Sequence, residues 1–104
     1  MERLCFTFEI YAGKEAEYQK RHDEIWPELV EAIREAGLRN YSLFRRERQV
    51  VGYVECDPDV ATAFAKLGPS EANARWAAWF EDVIVQLVDE SGDLFTLAEV
   101  WHLD

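Results

Sequence analysis

At 104 residues the chain has the length of one domain and is long enough to bury a core. Hydrophobic residues make up 49% of it and aromatic residues 13%, which excludes a disordered acidic tail. A formal net charge of −10 argues against nucleic acid and anionic membrane surfaces as partners, and leaves neutral small molecules or proteins.

Arg3 to Tyr11 alternates strictly, with Leu4, Phe6, Phe8 and Ile10 on one side and Cys5, Thr7, Glu9 and Tyr11 on the other. This predicts a half-buried strand with a mixed second face. A helical pattern follows from about Lys14 to Ala36. Tyr18, His22, Ile25, Trp26, Leu29, Ile33 and Ala36 recur at the spacing of one helix face. His22 therefore sits on the inward stripe, one turn after Tyr18. Glu17 and Arg21 are read as an ion pair on the solvated back. Pro27 cannot donate to the carbonyl of Asp23, so a kink is expected just after His22. Gly37 is expected to end the helix as a left-handed cap.

Asn40–Arg46 and Gln49–Cys56 read as an antiparallel hairpin, with Arg45-Arg46-Glu47-Arg48 as its solvated turn. Asp57-Pro58 is expected to cap and open a short helix to about Leu67. Gly68-Pro69 breaks it, and Ser70 caps a second helix from Glu71 to about Val88, with Trp76, Phe80, Ile84 and Leu87 on one face. Ser91-Gly92 is a turn, and Phe95–Leu103 is read as the last strand. Strand, helix, strand, strand, helix pair, strand is the split βαβ or ferredoxin-like order. It predicts an α+β fold with an antiparallel four-stranded sheet covered by helices on one face. The other face carries Cys5, Tyr11 and Tyr41 or Trp101, and a face of that kind is expected to pair with a second copy.

Metal binding is not expected: His22 and His102 are far apart, and Cys5 and Cys56 have no paired spacing. No glycine-rich phosphate loop and no serine in a nucleophile-elbow context appears. The absence of a signal peptide or membrane-length apolar run points to the cytoplasm. What remains is proton transfer. His22 can give and take a proton near neutrality, and opening and closing a sugar ring requires little else. Aromatic rings beside such a group suit the C–H faces of a sugar, and phenols suit its hydroxyls. The bland alternative is a core histidine in a bent helix, with Tyr18 and Trp76 as core aromatics and Tyr41 at a sheet edge. The residues alone leave both readings open.

Tyr18, the run Arg21-His22-x-x-Ile25-Trp26-Pro27-Glu28-Leu29, Gly37 and Asn40-Tyr41-Ser42 resemble the signature of the L-rhamnose mutarotases. The likeness continues through Gly52-Tyr53-Val54-Glu55, Arg75-Trp76 and Glu99-Val100-Trp101-His102-Leu103, so it spans residues 1–104 as one domain. The resemblance implies a homodimeric α+β barrel without a cofactor, in which His22 is the catalytic proton donor. It implies that Tyr18, Tyr41 and the pair Trp76-Ala77 bind the sugar. At the second position of that pair the family commonly has tryptophan, so Ala77 is a departure. The expected activity is interconversion of the α and β anomers of L-rhamnose or a related 6-deoxy sugar. The alternatives are the same chemistry on L-fucose, or a non-catalytic or monooxygenase-like barrel holding an apolar ligand. Trp26 and Trp101 are read as packing residues, and His102 as structural or at a dimer seam.

Overall fold

A computed structural model describes Met1 to Asp104. Its elements are β1 (Glu2–Ile10), α1 (Glu15–Asp23), α2 (Pro27–Ala36), β2 (Leu38–Arg46), β3 (Gln49–Cys56), α3 (Val60–Leu67), α4 (Glu71–Trp79), a 3-10 turn (Phe80–Asp82) and β4 (Ile84–Gln86). The strands form one antiparallel sheet in the order β2-β3-β1-β4. This is the expected α+β, ferredoxin-like arrangement. Leu4, Phe6, Phe8 and Ile10 of β1, with Val50, Val54 and Cys56 of β3, face the helices and are buried.

Several expectations need correction. The long helix is two helices. Pro27 does not kink it but starts α2 at its first position, behind an extended Trp26 with φ −68° and ψ 133°. The residue before a proline is driven out of the helical region, so the chain breaks at Glu24–Trp26 and His22 falls in the last turn of α1. The helix begun at Glu71 ends at Trp79, nine residues before Val88. Its apolar spacing continues into Val83-Ile84-Val85, but these β-branched residues pair with the free edge of β1, where Ile10 opposes Ile84.

The fourth strand is therefore Ile84–Gln86, and only part of the predicted Phe95–Leu103 joins the sheet. Thr7 N–H donates to the Phe95 carbonyl at 2.9 Å and Leu97 N–H to that of Cys5 at 2.8 Å. Trp101, read as packing, is 76% exposed. Finally, Asp59 and not Asp57 caps α3, accepting from Thr62 N–H at 2.8 Å.

One irregularity positions the site. Arg39 opposes Glu55 and Ser42 opposes Tyr53, so Asn40 and Tyr41 together face one residue of β3. Asn40 takes φ 48°, a conformation asparagine tolerates. The extra residue flips the side-chain alternation and turns Tyr41 toward the helices, where it meets Phe6 edge-on at 6.3 Å. The expectation of Tyr41 on the open face is thereby overturned.

Phe6 lies flat over Gly52, its partner in the ladder. A Cβ built on Gly52 would stand 2.3 Å from the tip of that ring. Gly52→Ala should therefore cost about 1–3 kcal/mol, the usual penalty of overpacking. Urea denaturation of the single variant and of the Phe6→Leu, Gly52→Ala pair checks this. The double variant should recover part of the loss, and additive losses would place the clash elsewhere.

Candidate active site

α1 brings Tyr18 and His22 onto its inner face as neighbours, with ring centroids 4.4 Å apart. Tyr18 is buried between Phe8 and Phe80. α4 supplies Trp76, which meets His22 edge-on at 5.3 Å, and Phe80 follows at 5.3 Å from the same imidazole. Trp26 and Trp79 extend the aromatic wall, stacked on each other at 5.4 Å, and Trp26 is 5.1 Å from Trp76.

Two cavities meet at this wall. One, of about 440 Å³, runs between α2 and β2 and is lined by His22, Tyr41, Asn73 and Trp76 among others. The second, of about 570 Å³, shares those four residues and continues past Tyr18, Ala77 and Phe80 toward the hairpin around Gly92. The five residues singled out from sequence, Tyr18, His22, Tyr41, Trp76 and Ala77, all line this second cavity. No three His, Cys, Asp or Glu side chains converge on a common point.

The imidazole is oriented by the backbone. His22 Nδ1 lies 2.9 Å from the Tyr18 carbonyl oxygen. A carbonyl can only accept, so Nδ1 carries the proton, and in the neutral ring Nε2 is left as an acceptor. Burial lowers the pKa of His22, and the contact with the Tyr18 carbonyl only partly opposes this. Burial drives the Tyr18 phenol well above its usual range. Its hydroxyl is buried and has no hydrogen-bond partner within the chain. The Tyr41 phenol is pushed up to about 12 by burial, although 39% of the residue remains accessible. The site thus presents a neutral base and two protonated phenols at neutral pH.

Sequence reasoning placed Arg21 on the solvated back of a helix. It is instead 92% buried, at 8% exposure. Its Nε donates to Glu17 at 2.6 Å, and its terminal nitrogens to Asp82 at 3.1 and 3.2 Å and to the Trp79 carbonyl at 2.8 Å. The guanidinium also lies 4.5 Å from the Trp79 ring centroid. The Glu17 pairing was legible as an i, i+4 contact. The partnership with Asp82 was hidden because α4 stops at Trp79, a boundary the apolar spacing did not reveal. Asn73 was also missed as a lining residue, while Phe80 belongs to the predicted Trp76 face. Lying three residues before Trp76, Asn73 could have been found on the same helix face.

A ferredoxin-like α+β fold with a cavity walled by aromatic rings, and one histidine among them, defines a concave and largely apolar small-molecule site. Comparison with known proteins makes the class particular. The family model for L-rhamnose mutarotase matches residues 3–103, and the chain belongs to that family. It is 34% identical to an L-rhamnose mutarotase of Oceanobacillus iheyensis over the full length of both chains. It is 38% identical to one from Agrobacterium fabrum, across 99% of this chain and 96% of that one. The crystal structure of an L-rhamnose mutarotase from Formosa agariphila superposes with a TM-score of 0.79, covering all of both chains at 24% identity, a likeness of fold.

Arg21 grips the end of α4 with a fork that lysine cannot reproduce. Arg21→Lys should lower stability by about 1.5–3 kcal/mol, the range for hydrogen bonds to a charged group. Thermal unfolding read at Trp fluorescence checks the loss, and an unchanged melting temperature would remove Arg21 from this role. Asp82 is held below its ordinary carboxylate range by Arg21. A depressed folded-state pKa stabilises above the unfolded value and loses that contribution as pH falls through the folded one. The difference between native protein and Arg21→Lys should therefore shrink below about pH 4.

Proposed function

We propose that the protein is a mutarotase that interconverts the α and β anomers of L-rhamnose, acting as one domain over its whole length. The observation that carries this reading is the oriented, neutral His22 beside two protonated phenols in an aromatic-walled cavity. The family membership of the chain supports the substrate. His22 Nε2 takes the proton of the anomeric hydroxyl. The C1–O1 double bond forms as the bond from C1 to the ring oxygen breaks. The ring oxygen shares a carbon with O1, so the imidazolium is placed to return the proton to it. Tyr18, with a pKa far above neutrality, donates a hydrogen bond to the sugar but does not release its proton. Net proton transfer therefore falls to His22. Rotation about C1–C2 and reversal of the steps gives the other anomer.

Tyr41 is assigned to a sugar hydroxyl and Trp76 to the C–H face of the ring. Ala77 leaves one side of the pocket open where family members carry an indole, toward Glu81 and the Gly92 hairpin. This opening favours looser selection among 6-deoxy sugars. Two free cysteines suit the reducing cytoplasm as the working compartment, and no helix is long and apolar enough to cross a membrane.

We further propose that the working form is a homodimer. The open sheet face exposes 63% of Phe44 and 49% of Leu97, and beyond it Val100 and Leu103 are 92% and 74% exposed. Apolar surface of this kind is ordinarily covered. Light scattering should give about twice 12.1 kDa. A clean monomer at micromolar concentration would overturn the assembly.

Saturation transfer between the two anomeric protons of L-rhamnose tests the activity, and should persist after EDTA treatment. Because His22 packs against three rings, His22→Asn is the fitting variant; its amide can replace the donor to the Tyr18 carbonyl. Exchange should fall by roughly 10²–10⁴-fold, the usual contribution of a general base, with the fold retained. The neutral ring is the active form, so the acid limb of kcat/KM should have its midpoint below about 6.5. The sign for stability agrees: lowered pKa in the fold means His22 opposes folding only as pH drops below the unfolded value. An acid limb above 6.5, or full exchange in His22→Asn, would return His22 to a packing role.

A further inference from the structure

We propose that Asn73 is a sugar-binding residue, whose carboxamide grips a pair of substrate hydroxyls and so selects among 6-deoxy sugars by configuration. The proposal rests on the mutarotase reading for the identity of the ligand, and on geometry for the rest. Asn73 is the third residue of α4, and its backbone N–H donates to the capping hydroxyl of Ser70 at 3.3 Å. In a reciprocal cap the side chain at this position would bend back to the N–H of the capping residue. Here that N–H is already engaged, since Ser70 donates to the Leu67 carbonyl at 3.0 Å. Asn73 therefore has no local structural duty. Its side-chain amide forms no hydrogen bond within the chain, although the residue is half-buried.

The position is the informative part. Asn73 lies one turn before Trp76 and lines both cavities where they meet, together with His22 and Tyr41. The other shared lining residues, Leu43 and Leu67, are aliphatic. Beside His22 and Tyr41, Asn73 is the one other polar side chain at the junction, and an amide that no group of the chain engages is free to pair with a ligand there. A carboxamide offers one acceptor and two donors in a plane. Adjacent sugar hydroxyls, each able to donate and accept, match that pattern only when their relative configuration brings both into the plane. Histidine and tyrosine recognise single oxygens; Asn73 reads a pair.

The experiment compares native protein with Asn73→Ala and Asn73→Asp, measuring anomer exchange at increasing L-rhamnose and L-fucose. An equilibrium titration of each sugar by chemical shift is run alongside. The amide acts alike on bound substrate and transition state, so KM for L-rhamnose should rise about tenfold with kcat held within about twofold. The preference between the two sugars should narrow. Asn73→Asp guards against misfolding, because an acid near a helix N-terminus is favourable while its carboxylate cannot donate. It should show the same rise in KM. Unchanged KM and unchanged preference in both variants, at native melting temperature, would overturn the assignment. Should native protein bind L-rhamnose without exchanging its anomers, the mutarotase reading fails while the dissociation constants still decide the role of Asn73. Absence of binding by native protein would overturn both.

Discussion

The site depends on the grip of Arg21 on the far end of α4. α1 is only nine residues long, too short to be stable on its own propensity. It presents Tyr18 and His22 toward α4, and beside their ring contacts with Trp76 and Phe80 a buried guanidinium ties the two helices together. Three of its four hydrogen bonds satisfy a helix-end carbonyl at Trp79 and hold Asp82 in the turn that follows, and the fourth goes to Glu17 within α1. Replacing it with a well-packed apolar side chain could leave stability intact, as it often does for buried ion pairs. The fork would then no longer dictate where Trp76 and Phe80 stand relative to the imidazole. The value of the interaction lies in placement.

Around that anchor, one physical effect sets the chemistry twice. Withdrawal from water penalises charge, so it pushes the histidine toward its neutral form and the tyrosines toward theirs. A chain carrying −10 overall thus encloses an imidazole and two phenols in their neutral forms. That combination fits a neutral, polyhydroxylated ligand: the outside keeps the protein soluble, and the inside asks for hydrogen bonds and C–H contacts rather than ion pairs.

The capping residues Gly37 and Ser70 and the shared helix face of Tyr18 and His22 were readable because each follows from preferences within one element. Apart from the break at Pro27 and the Asp59 cap, which are local, the failures lie where pairing between distant segments outvotes local preference. Ile84 continues a helical stripe but finds the edge of β1. Trp101 has the look of a core residue yet stands free of the chain's own core. The inward turn of Tyr41 hinges on one left-handed asparagine that shifts the strand by a residue, and alternation alone gives the opposite face. Arg21 looked solvated because its partner is sixty-one positions away in sequence.

The Tyr18 carbonyl has a consequence for how this site can change over generations. Catalytic histidines are commonly oriented by a carboxylate, which a single codon change can remove. Here the orienting atom belongs to the main chain, one helical turn before the imidazole, and every amino acid at position 18 would supply it. The tautomer is thus inherited with the helix itself. On the roles proposed for Tyr18 and His22, drift at position 18 would retune how the sugar is held and leave the tautomer of His22 in place.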